Sequence, residues 1–183
     1  MKKIAPLLLA AAIALSPHAA QAAADEFQAR LFQIGLEYKA LKVRIVVDSY
    51  TADEEIAQIK NVLSQQGFDA FMNAFNSLMK GSLQIVGGPG VKINLHCAYS
   101  RPTDKGRQIL LFTQAQDWDL SSMRRVEPEF QFMVIELNLN EKGRGNGKIY
   151  EQAKIRLPLG NVMEMEGYGA PPRQLLDVRE VKK

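Results

Sequence analysis

The sequence predicts one α+β domain, a largely antiparallel sheet with an αα-hairpin inserted after its second strand. The sheet reads as a meander of about seven to nine strands that can curl into a partial barrel. Three observations carry this. Apolar side chains alternate with polar ones through most of the chain, the mark of half-buried strands. Two runs of helical spacing interrupt the alternation between Thr51 and Gly81. Phe130–Leu139 and Arg144–Arg156 form a hairpin around Asn140-Glu-Lys-Gly143, and its β-branched, aromatic first arm reads as a central strand around which the sheet is built.

The first two dozen residues read as a secretory leader. Lys2 and Lys3 precede an apolar run from Ile4 to Leu15, and Ala20-Gln21-Ala22 or Ala22-Ala23-Ala24 supplies a small-x-small cleavage site. Residues 1–24 are therefore assigned to a signal peptide and 25–183 to a single domain, periplasmic or secreted. The apolar run falls short of the ~20 residues of a membrane span, and none of that length comes after it, so no integral membrane segment is expected after cleavage. Loss of Lys2 and Lys3 changes the charge balance from 23 Lys+Arg against 20 Asp+Glu to 21 against 20. Such a balance, with Arg124-Arg125 as an isolated pair, argues against a nucleic-acid partner. The remaining ~160 residues can bury a core without disulfides, in keeping with a single cysteine, Cys97.

Taken in order, Phe27–Ser49 reads as a hairpin. Leu41, Val43, Ile45 and Val47 alternate cleanly. The arm before them carries both strand and helix spacing and is read as a strand because it can pair with this alternating run. Thr51-Ala-Asp-Glu54 has the form of a capping box, with acidic residues suited to a helix N-terminus. Ile56, Ile59, Val62 and Leu63 make that helix's apolar stripe, and Gly67 ends it. A second helix is expected from Asp69 to Gly81, with Phe71, Met72, Phe75, Leu78 and Met79 on its apolar face. Leu83–Val86 is a short strand and Gly87-Gly-Pro-Gly90 a turn. Val91, Ile93, Leu95, Cys97 and Tyr99 share one strand face. Thr103-Asp-Lys-Gly-Arg107 and Asn140-Glu-Lys-Gly-Arg144 spell the same turn twice, and Ile109–Thr113 is the strand after the first. The Asp117–Arg125 loop breaks the β pattern, with Trp118 expected as a buried plug. Gly143, Gly145 and Gly147 leave room for another backbone or a ligand to approach closely or for the strand to bend, and a bend or bulge is the cheaper explanation. Val162–Glu166 and Gln174–Val181 supply the last strands.

Catalytic constellations are scarce. Outside the leader His96 is the sole imidazole, and as strand neighbours His96 and Cys97 are expected on opposite faces; Ser100 stands about 13 Å along the strand from His96. Neither pairing supports nucleophilic catalysis. Zinc and calcium ligand spacings are missing, Asp117 and Asp119 having no further acidic partners nearby, so no metal and no cofactor is expected. Gly87–Gly90 lacks the phosphate-loop pattern. Glu127, Glu129, Glu136, Glu151, Glu164 and Glu166 are candidate paired carboxylates but read as a solvated sheet face. Glu136 interrupts an apolar strand and calls for a partner such as Lys148 or Arg156 if buried. No residue is assigned as catalytic or ligand-binding.

Ser49–Glu55, Gln66-Gly67, Val134–Leu139, Gly143–Lys148 and Met165–Tyr168 resemble a family of uncharacterised secreted bacterial proteins with no assigned activity. The resemblance implies a compact secreted α+β domain and transfers no site residue; the Trp118 segment departs from the family's pattern. The functional expectation is a non-enzymatic binding or interaction module. It would receive a small apolar ligand in a cavity between the second helix and the sheet, or an envelope protein as partner. The alternative is a carboxylate-based hydrolase of the cell envelope, which needs two acidic groups about 5–10 Å apart in a cleft.

Overall fold

A computed structural model describes residues 24–32, 40–87, 92–115, 129–157, 163–169 and 171–182. Residues 1–23 of the expected leader, the Trp118 loop with Asp117, Asp119, Arg124, Arg125 and Glu127, and most of the Gly87–Gly90 turn lie outside the described residues.

The elements are β1 (Asp25–Phe32), β2 (Ala40–Val47), α1 (Asp53–Gln66), α2 (Phe68–Ser77), β3 (Gly81–Val86), β4 (Lys92–Leu95), β5 (Cys97–Thr103), β6 (Gly106–Gln114), β7 (Phe132–Asn140), β8 (Arg144–Arg156), β9 (Glu164–Tyr168) and β10 (Arg173–Glu180). Among the described residues ten strands join one open sheet, more than the sequence suggested, in the order β4-β3-β2-β1-β10-β8-β7-β6-β5, with β9 paired to β8. Two antiparallel meanders, β1 to β4 and β5 to β8, are thus spliced by β10, which inserts between β1 and β8. The long β8 is the hub. Its first half pairs with β10, its second half with β9, and β7 runs along its other edge.

Nine strands contribute to a single apolar cluster on the inner face, from Leu83 and Leu95 near one end of the path to Ala98 and Leu111 near the other. The two ends are consecutive in the chain, since only His96 separates β4 from β5. A second cluster lies on the outer face, where Ile56, Ile59, Phe71 and Phe75 of the helices cover Cys97, Phe112, Phe132, Val134 and Tyr150 of β5 to β8. Among the described residues no helix is long and apolar enough to cross a membrane.

Several local expectations change. Ala52, not Thr51, is the N-cap of α1: its amide donates to Glu55 Oε2 at 2.8 Å, while its carbonyl accepts from the Glu55 amide. Thr51 instead bonds across to β5, donating its amide to Ala98 O and accepting the Ala98 amide on Oγ1. Gly67, at φ 85°, closes α1 as its position suggests. Helix α2, by contrast, stops at Ser77 because Leu78 is already extended. Gly81 begins β3, at φ 151°, where a Cβ would lie 2.0 Å from Val46 O. The paired glycines Gly145 and Gly147 answer a close approach as well as the expected bulge: a Cβ at Gly145 would lie 1.8 Å from Asn138 O, and one at Gly147 2.4 Å from Glu136 O, and the β8–β10 register shifts opposite them, between Leu175 and Val178. The register shift between β7 and β8 falls elsewhere, between Phe132 and Val134. The twin turns also differ. Gly143 is left-handed at φ 71°, with Asn140 Oδ1 accepting two amides, whereas Gly106 sits at φ 143° and pairs with Thr103.

Candidate functional site

The described chemistry collects where the helices cross the junction of β4 and β5. Main-chain bonds hold this crossing: Lys80 donates its amide to Leu95 O and accepts from Asp48 and Ser49, and Thr51 is tied to Ala98. The Lys80 ammonium, buried here, donates to the Glu55 carboxylate at 2.7 Å. Burial alone would raise the Glu55 pKa, but the Lys80 bond and the Ala52 amide outweigh it and hold the carboxylate below its usual range. Beneath α2 the space is filled. Phe75 meets Phe132 edge-on at 5.4 Å and His96 at 5.1 Å between ring centres, and Phe71 packs on both Phe75 and Phe132. The cavity expected between the second helix and the sheet is therefore occupied by the helix's own side chains. Met79, expected on that apolar face, is 58% exposed.

His96 and Cys97 are not back to back. The strand breaks at His96, so its ring stacks toward Phe75 while Cys97 packs in the same helix-facing cluster. Val91 is not described; Ile93 and Leu95 point to the inner core, and Cys97 and Tyr99 to the outer one, so their expected common face is split at this break. Proximity does not make a dyad. A carbonyl only accepts, so the 2.8 Å contact of His96 Nδ1 with Leu78 O places the proton on Nδ1 and directs that nitrogen at main chain. Burial pushes the Cys97 thiol up to about 12, the Thr51 hydroxyl opposing the shift and Glu55 adding to it. A thiol so placed stays protonated at neutral pH and is a poor nucleophile.

The carboxylates are mostly engaged. Glu151 pairs with Arg173 at 2.7 Å, Glu164 with Arg156 at 2.8 Å and Glu166 with Lys154 at 3.9 Å. Glu136 lies opposite Lys148 in register, but its hydrogen bonds come from Gln108, Asn138 and the hydroxyl of Tyr150, whose ring packs in the helix-covered cluster. The structure also assembles a cluster that sequence spacing did not suggest. Arg107 reaches Asp25 and Glu180, each at 3.0 Å, over the Phe27 ring, and Tyr50 donates to Asp25 at 2.5 Å. In the sheet order β6 stands three strands from β10 and four from β1, so these contacts reach across the inner face and not along a strand pairing. A shared guanidinium stands between the two carboxylates, so the group reads as a polar plug on the inner face.

Open space remains beside α2. A groove of about 370 Å³ runs between the helix pair and β8, floored by Leu63, Phe68, Phe71, Phe132, Ile155 and Leu157, with Glu129, Lys154 and Arg156 at its rim. Phe68 is 42% exposed there. Among the described residues no group of three His, Cys, Asp or Glu converges as metal ligands would. No protein-family model, no curated protein and no solved structure matches the chain.

Proposed function

We propose that the chain is an exported, non-enzymatic binding module of the cell envelope, and that the groove beside α2 receives a small apolar ligand. The observation that carries this reading is an apolar floor left open next to a closed core. Its volume falls within the roughly 300–1,000 Å³ range of small-molecule sites. The thiol and the imidazole, the groups best suited to covalent chemistry, are turned into packing. Export rests on the leader pattern, and membership of the secreted family on the sequence resemblance. The scaffold is read as a sheet curled toward a partial barrel, with β4 and β5 meeting at His96, and α1–α2 as an αα-hairpin laid across its outer face.

Native mass spectrometry of protein purified from its host's periplasm or medium tests the proposal. A retained apolar species, lost in Ile155→Glu, is the expected result. No adduct in the wild type, together with no uptake of a fluorescent fatty acid that Ile155→Glu abolishes, would refute ligand binding and shift weight to a protein partner.

A further inference from the structure

The helices cover only half of the outer sheet face. On the uncovered half, charge is segregated by sign. The outward positions of β4, β3, β2, β1 and β10 and the start of β8 carry Lys92, Lys42, Arg44, Arg30, Arg179 and Arg144 against two carboxylates, Glu26 and Asp177. The register aligns four of these cations. Lys92 faces Gln84, Gln84 faces Arg44, Arg44 faces Gln28, Gln28 faces Arg179 and Arg179 faces Arg144, one continuous row across six strands. At about 4.8 Å per strand the row is roughly 24 Å long. Beside it lies a groove of about 500 Å³ lined by Arg30, Lys42, Arg44, Val86, Asp177 and Arg179. A bulge shapes this part of the sheet: Asp177 takes φ 52°, and the β1–β10 register shifts between Gln28 and Arg30.

We infer that this row is a binding surface for a linear acidic polysaccharide. From Lys92 to Arg179 cations alternate with side-chain amides, as anionic groups alternate with hydroxyls along an acidic glycan, and Arg144 adds a further cation at the end. Arginine forks suit carboxylates, and glutamine can donate to or accept from hydroxyls. The row holds no aromatic side chain on which a base could stack, which disfavours single-stranded nucleic acid. The ion pair of Arg30 with Asp177 lies at the surface and contributes little to stability, so a ligand carboxylate can exchange with it at small cost. Arg44 grips the largely covered Glu26 through two bonds and keeps that partner while its exposed edge faces the row.

Calorimetric titration with oligogalacturonates of defined length tests the inference. Affinity should rise with length until the row is spanned, and fall with added salt. Lys92→Gln, Arg179→Gln and Arg144→Gln should each weaken binding about threefold, and together about thirtyfold if they act independently. Lys60→Gln, in α1 on the helix-covered side, should change nothing. Single-stranded DNA of matched charge and phosphatidylglycerol vesicles should bind more weakly than the glycan. The inference is overturned if the triple variant binds like wild type, if Lys60→Gln weakens binding equally, or if DNA or vesicles match the glycan.

Discussion

The Glu55–Lys80 pair makes an asymmetric prediction. The two side chains are unequally covered: that of Lys80 is 10% exposed and that of Glu55 32%. Glu55→Gln strands an ammonium that main-chain bonds on both sides hold in place, because the Lys80 amide is bound to Leu95 and its carbonyl to Asp48 and Ser49. Breaking a well-buried pair costs about 3–5 kcal/mol, and the residual access of Lys80 to water places Glu55→Gln near ~3 kcal/mol. Lys80→Met leaves a carboxylate that is one-third open and still bound to the Ala52 amide, so screening reduces its cost to ~1 kcal/mol. The double variant should lie nearer Lys80→Met than Glu55→Gln, since it leaves no charge behind. Urea titration at neutral pH measures all three. The Glu55 pKa is lowered on folding, so its contribution is complete above the unfolded value of about 4.3 and is lost as pH falls through the lower folded value. Wild type should therefore lose stability in that acid window by an amount that Glu55→Gln does not. If Lys80→Met costs as much as Glu55→Gln, the unequal burial of the two charges does not govern the pair and the reasoning is refuted.

Three other outcomes rest on the same contacts. The Cys97 thiol keeps its proton in the fold to about 12, while an unfolded thiol ionises near 8.5, so stability should decline with rising pH between those values by up to ~1.4 kcal/mol per unit; Cys97→Ala should flatten that slope in pH-dependent urea melts. Gly145→Ala drives a methyl into Asn138 O and should cost ~3 kcal/mol or more. Gly167→Ala meets nothing within 4 Å and should stay within ~0.5 kcal/mol of wild type; comparable denaturation midpoints for the two would contradict the close-approach account. Phe75→Ala, at a fully buried position, should cost ~3–5 kcal/mol, and Phe68→Ala, on the same helix but 42% exposed, under ~1 kcal/mol while weakening apolar-ligand uptake.

The sequence made the strands and the major helix boundary legible because their causes are local. Alternation along Val43, Ile45 and Val47 comes from one face meeting the core, and Gly67 ends a helix through its own backbone. The failures have distant causes. The run from Ile93 to Tyr99 alternates without a gap, yet it changes cores at His96, where the end of α2 places the Leu78 carbonyl against the ring. Thr51 has the right spacing to cap a helix, but β5 takes its hydroxyl first. Gly81 looks like a helix stop only until the strand bearing Val46 is laid against it. Arg107 stands at the end of a turn in the sequence, and nothing local shows that its partners lie on β1 and β10. The site region was hidden for the same reason: the second helix has the apolar face expected of a ligand lining, and whether aromatic side chains fill the space below it depends on Phe132, more than fifty residues away.

Charge shows how a total can conceal an arrangement. Over residues 25–183 Lys and Arg nearly balance Asp and Glu, and a balanced protein steers polyanions weakly from a distance. Placement in the fold divides that balance. Acidic residues concentrate in the first turn of α1, where Asp53, Glu54 and Glu55 suit the helix dipole, on the half of the molecule that the helices cover. Strand positions facing away from the core on the other half hold arginine and lysine, whose long apolar stems can lie along a sheet while their heads stay in water. Beyond about a Debye length of 8 Å at physiological salt the two regions largely cancel, so a ligand must come close before it senses the row. The consequence is kinetic. Adding salt should speed release from the row more than it slows arrival, the reverse of what strong long-range steering by a uniformly basic protein would give. Stopped-flow association and release of a labelled oligogalacturonate across a salt series separates the two.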